Sequence, residues 1–171
     1  GIRVVGVGKI AQLFAGRGIS DSHPTKSNRD GMKKTLELLE KKYDDSRILI
    51  LVNLIEFDQN FGHRKDAPGF RAALEDFDRF LPGLLDLITR DDLLIITADH
   101  GCDPTTPGTD HTREHVPLIA YRPALESPQN LGRRPAFADA GATAAEFLGI
   151  PKPPAGTGFL ENLAVKNENS F

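Results

Sequence analysis

A single cysteine, Cys102, stands in the 171 residues, so neither an intramolecular disulfide framework nor a cysteine-rich zinc site can be built from this chain. Long apolar runs are also missing. The longest, Ile48 to Val52 and Leu93 to Ile96, fall far short of the roughly 18 residues a membrane helix needs. No basic, hydrophobic, small-residue leader opens the sequence, and there is no internal repeat. Charge of neither sign dominates: 21 basic against 24 acidic residues give −3. The balance is uneven, with +5 over residues 1–34 and −8 over the rest. A basic opening suits an anionic ligand or a nucleic acid. No aromatic residues interleave the basic ones, so nucleic acid is set aside and a solvated loop and helix face is the plainer reading. With 39% hydrophobic residues, the expectation is one soluble, cytoplasmic domain with enough apolar material for a core.

The pattern along the chain alternates strands and helices. Ile2 to Val7 reads as a buried strand and Lys9 to Ala15 as a short helix. Residues 16–31 are loop-like. A helix capped by Asn28 or Asp30 runs to about Tyr43, with Met32, Leu36 and Leu39 on one stripe. Arg47 to Leu54 is apolar enough for a central parallel strand covered on both faces. From Pro68 to Arg90 apolar residues recur at helical spacing, with Pro82 and Gly83 marking a kink or break. Leu93 to Thr97 and Val116 to Tyr121 are further strands, and Ala136 to Leu148 is a closing helix. A flexible tail is expected from about residue 151. This order predicts a layered α/β fold with a mainly parallel sheet flanked by helices.

In such folds chemistry gathers beyond the carboxyl ends of strands. One strand runs into Glu56, Phe57, Asp58 and on to His63, and another runs into Asp99 and His100, with His111 further along. Alone, each residue is an ordinary cap or loop side chain. Together, three of five histidines and two aspartates end two adjacent predicted strands within 54 residues. Carboxylate oxygen and neutral imidazole are ligands for borderline divalent ions. Five such ligands exceed one closed structural site and suit a pair of ions that clamp a phosphoryl group.

Two segments, NLIEFDQNFGHRKD (53–66) and TADHGCDPTTPGTDHTREHVPL (97–118), resemble the metal-binding signatures of the phosphopentomutase family, within the alkaline phosphatase-like superfamily. GVGKIAQLFAGRGIS, FRAALEDFDRFLPGLLDLI and RPAFADAGATAAEFLG are similar to the same family. The resemblance extends at least to Gly149. It implies a partial core, lacking the N-terminal segment that carries a metal-binding Asp and a phosphoryl-accepting Thr, and lacking the cap. It further implies that Asp58, His63 and His111 hold one manganese ion, while Asp99 and His100 are half of a second set. Two divalent ions are thus implied in the full enzyme and about one in this chain alone, with no catalytic nucleophile here. Lys9 and Arg113 are implied to meet the substrate phosphate.

The implied reaction interconverts ribose or deoxyribose 1-phosphate with the 5-phosphate through a phosphothreonine on the absent part. That reaction involves a sugar phosphate, with no nucleic acid or membrane, and it needs the N-terminal core and cap. Phosphoglycerate mutases, phosphodiesterases and sulfatase-like hydrolases share the ligands, but GHRKD and TDHTRE favour the pentomutase. A non-catalytic metal-binding fragment is the reading from another class. Cys102 reads as a small buried thiol, and Asp103 and Asp110 as turn residues or supports for the ligand histidines.

Overall fold

Val5 and Val7 are fully buried, and the strand that carries them, β1 (Arg3–Val7), organises everything around it. In this computed structural model, which describes residues 1–41, 43, 47–125 and 127–163, β1 is the middle of a parallel three-stranded sheet. Its neighbours are β2 (Asp21–His23) and β3 (Ile48–Val52), in the order β2-β1-β3. Val5 faces Asp21 on one side and Ile50 on the other. Leu38 packs on Val5 and Val7, with Tyr43, Ile48 and Ile50 around them. Each such apolar side chain stabilises the fold by about 1.5–3 kcal/mol on full burial.

β2 lies inside the stretch expected to be loop, and β3, expected at the centre, is an edge strand. The two differences have separate causes. β2 is polar, and it is held by backbone pairing and by the Arg3–Asp21 ion pair at 2.6 Å, which leave no hydrophobic signature. The apolar run of β3 marks it as a strand but does not fix its place in the order, and its residues are only half-buried, with Val52 exposed.

Between β1 and β2 the chain makes a short helix, α1 (Ile10–Leu13). Helix α2 (Asn28–Glu40) is capped by Ser27, whose oxygen accepts the Asp30 N–H at 3.1 Å. Neither Asn28 nor Asp30 is the cap. Asp30 instead accepts the Lys26 N–H, two residues ahead of the helix. The buried line of α2 is Asn28, Gly31, Met32, Thr35 and Leu38, with Leu36 and Leu39 only half-buried.

Helix α3 (Ala67–Leu87) runs unbroken through Pro82. Proline removes one hydrogen bond to the residue four earlier; here that residue is Asp78, exposed like Pro82 itself, so water can take the bond's place.

The described chain forms two compact units where one domain is expected. The first comprises residues 1–87 and 100–115, and the second residues 88–99 and 116–171. In the second, β4 (Leu94–Thr97) pairs with β5 (Leu118–Tyr121), antiparallel. The parallel prediction therefore holds only for β1, β2 and β3. Helix α4 (Ala138–Phe147) closes this unit. Part of the stretch expected to be flexible is packed: Phe159 is fully buried, and its N–H donates to Thr143 Oγ1 at 3.0 Å. Thr157 N–H donates to the buried Asp139 carboxylate, which also pairs with Arg134. Residues 164–171 lie outside the described chain.

Candidate metal centre

The carboxyl ends of β1 and β3 come together tightly. Asn53 N–H donates to Val7 O at 3.1 Å. Gly8, at φ +81°, has room only for hydrogen, since a Cβ there would lie 2.3 Å from Asn53 O. From Asn53 the chain enters a π-helical turn, Phe57–Gly62. Such turns are rare and often mark functional sites. This one puts Asp58 and His63 one turn apart, with His63 N–H donating to Asp58 O at 2.9 Å. The five-residue spacing seen in the sequence is the spacing of that bond.

The other two histidines arrive on a separate strand pair. Gly101 and Thr112 form an antiparallel bridge, with Thr112 N–H donating to Gly101 O at 3.1 Å. The His100 and His111 rings beside it stack at 3.5 Å between centroids and 13° between planes. Gly101 has no room for a side chain, because a Cβ would meet Thr112 O at 2.6 Å. Gly62 is equally constrained, with a virtual Cβ 2.2 Å from Cys102 Sγ. These two close approaches bring the π turn and the bridge together.

Asp58 Oδ1 is the focus. It is buried and has no hydrogen-bond partner. His63 Nε2 lies 3.2 Å from it, His111 Nε2 3.3 Å and His100 Nε2 4.0 Å. Asp58, His100 and His111 also bring ligand atoms within 4.8 Å of one another. His63 Nδ1 bonds the Thr109 carbonyl, and His100 Nδ1 bonds the Gly101 carbonyl. A carbonyl only accepts, so each Nδ1 carries the proton and each Nε2 presents a lone pair. Carboxylate oxygen and imidazole lone pairs facing one another need a cation among them. A divalent ion with bonds of about 2.1 Å holds neighbouring ligand atoms about 3.0–3.4 Å apart, which matches the His63 and His111 separations. The residues present fit a metal ion.

Four of the five sequence-derived ligands, Asp58, His63, His100 and His111, are thus gathered in one unit. Asp99 ends the other unit, directly before His100 in the chain. Lys9 is half-buried between β1 and α1, while Arg113 is exposed next to the bridge residue Thr112. The histidine supports are not Asp103 and Asp110 but the carbonyls of Thr109 and Gly101. Asp103 accepts from Thr105 N–H and Oγ1 in a local turn, which lowers its own pKa. Burial pushes the Cys102 thiol above the ordinary value, and the Asp58, Glu114 and Asp103 carboxylates push it further. A protonated thiol is a poor nucleophile.

Residues 7–152 match the family model of the metalloenzyme superfamily. The chain is 50% identical over 159 residues to the phosphopentomutase of Thermotoga maritima, covering 93% of this chain and 40% of that protein. It is 52% identical over 163 residues to the phosphopentomutase of Syntrophotalea carbinolica, covering 95% of this chain and 41% of that protein. To the phosphopentomutase of Caldanaerobacter subterraneus it is 47% identical over 166 residues. The chain spans about two fifths of the length of the curated relatives it matches.

Proposed function

The chain belongs to the metalloenzyme superfamily, and from that premise we propose that it is the metal-holding part of a phosphopentomutase, an isomerase that moves a phosphoryl group between the 1- and 5-positions of ribose or deoxyribose. The observation that carries this reading is the convergence of three imidazole nitrogens on the buried, unpartnered Asp58 Oδ1. Asp58, His63 and His111 hold one divalent ion, manganese in this proposal. Asp99 and His100 contribute to a second, completed by residues outside this chain. When bound, such ions offset the negative charge on a transferring phosphoryl group.

The chain's own residues prepare that charge distribution. Thr109 O and Gly101 O accept from Nδ1 of His63 and His100 and so turn each Nε2 toward the Asp58 carboxylate. In this proposal Lys9, which follows the carboxyl end of β1, and the exposed Arg113 meet the sugar phosphate. The nucleophile, a threonine in this proposal, comes from the part of the protein outside this chain, as does the recognition of the sugar. The proposal puts the protein in the cytoplasm; among the described residues no helix is long and apolar enough to cross a membrane.

The test is reconstitution. The chain should be combined, fused or co-expressed, with the remaining segment of the Thermotoga maritima relative, and the product assayed with ribose 5-phosphate and with 3-phosphoglycerate. Manganese-dependent conversion of the pentose phosphate alone is expected, with no turnover from the 171-residue chain by itself. Turnover of 3-phosphoglycerate, or mutase activity from the isolated chain, would overturn the assignment.

A further inference from the structure

Glu56 stands two residues ahead of Asp58, and its side chain is tied elsewhere. Its Oε2 accepts the Asn28 backbone N–H at 2.6 Å, and its Oε1 accepts Asn60 Nδ2 at 2.9 Å. Its own backbone N–H donates to Asn28 Oδ1 at 3.0 Å. Asn28 opens α2 and is 6% exposed, while Asn60 lies within the π turn. The two residues therefore exchange bonds in both directions across 28 positions of sequence. One end of this link is the start of a helix anchored in the core. The other is the start of the turn that presents Asp58 and His63.

We propose that the Asn28–Glu56 pair is a positioning clamp for the metal centre. The bonds inside the π turn hold its own shape, whereas its direction relative to α2 is set by bonds from outside it. Glu56 sets that direction by bonding α2 on one side and Asn60 on the other. The clamp thereby fixes the approach of Asp58 Oδ1 to His63 Nε2. It acts through the turn, not on the ion. This inference rests on reading the Asp58 cluster as a metal centre, where loss of a ligand-orienting partner typically weakens binding by 10–100-fold.

The experiment is calorimetric titration of the 171-residue chain and its variants with Mn2+, alongside thermal unfolding of the metal-free proteins. Glu56→Ala should raise the Mn2+ dissociation constant about tenfold or more. Asn28→Ala removes only the Oδ1 that accepts the Glu56 N–H and leaves the Asn28 N–H bonded to Glu56 Oε2, so it should raise the constant by a smaller factor, and the double variant should lose little beyond Glu56→Ala alone. Glu56→Gln should stay within about threefold of the unaltered chain, since its carbonyl still accepts from Asn28 and the Asn60 amide can turn over to accept from its NH2. If the unaltered chain takes up no Mn2+, the metal-centre reading falls and the clamp with it. If the unaltered chain binds and a folded Glu56→Ala variant binds within twofold of it, only the clamp is overturned. A loss in Glu56→Gln equal to that in Glu56→Ala would overturn it too, because charge rather than geometry would then be at work. Should both alanine variants fail to fold, Asn60→Ala, at an exposed position that bonds Glu56 Oε1, decides: a raised dissociation constant supports the clamp and binding within twofold of the unaltered chain overturns it.

Discussion

At Asp58 Oδ1 the distances rank the ligands. His63 and His111 approach within 3.2 and 3.3 Å, and His100 stands back at 4.0 Å. By distance from Asp58 these two come first, whereas Asp58, His100 and His111 are the residues whose ligand atoms all lie within 4.8 Å of one another; we propose that Asp58, His63 and His111 hold the ion and that His100 contributes less. The expected stoichiometry after dialysis is about one tightly held divalent ion per chain, measured by elemental analysis. His63→Ala and His111→Ala should each weaken Mn2+ binding at least a hundredfold, and His100→Ala less than tenfold; this goes beyond the 10–100-fold cost of losing a supporting partner. Undiminished binding in the His63 variant, or two equivalent tight sites, would show the division of ligands to be wrong. These ligands could be found in the sequence because aspartate and histidine at strand ends are chemically conspicuous. Their supports could not. Thr109 and Gly101 act through backbone carbonyls, which every residue possesses.

The π turn and the bridge are elements whose meeting depends on two glycines. At Gly62 a Cβ would lie 2.2 Å from Cys102 Sγ and 3.0 Å from Phe57 O. Gly62→Ala must push the two segments apart, at a cost of about 1–3 kcal/mol in stability, and should loosen the ligand cluster as it does so. Shortening the opposing side chain isolates the cause. Gly62→Ala combined with Cys102→Ala should recover more than half of the lost unfolding free energy, leaving only the Phe57 contact. Chemical denaturation of Gly62→Ala, Cys102→Ala and the double variant checks this, and a double variant no more stable than Gly62→Ala would exclude the Cys102 contact as the cause. At this scale the sequence is informative about helices and strands and silent about the turn. Hydrophobic periodicity exposes α2, α3, β1 and β3, but one π turn between Phe57 and Gly62 has no periodicity to read. Nor does the polar β2, whose place comes from its backbone pairing with β1.

For the whole molecule, the sheet edges decide behaviour. Among the described residues β2 and β3 each pair on one side only, with β1. Val52 at the end of β3 is 38% exposed, and near β1 Leu13 and Phe14 are 66% and 51% exposed. In the second unit β4 and β5 form a two-stranded ribbon, an arrangement only marginally stable without further cover, and Ile119 on it is 55% exposed. Apolar runs in the sequence announce these strands, yet they cannot say which edges are left open, because strand order is set by long-range pairing rather than by local composition. Unpaired edges with apolar side chains are templates for association. The curated relatives are more than twice as long as the chain, so their remaining segments are available to cover such surfaces. The isolated chain should consequently self-associate at tens of micromolar and bind a hydrophobic dye, and both effects should fall when the complementary segment is supplied. Light scattering coupled to size exclusion measures the first and dye fluorescence the second. A monodisperse monomer that leaves the dye dark would mean that the exposed side chains are too scattered to act as a surface.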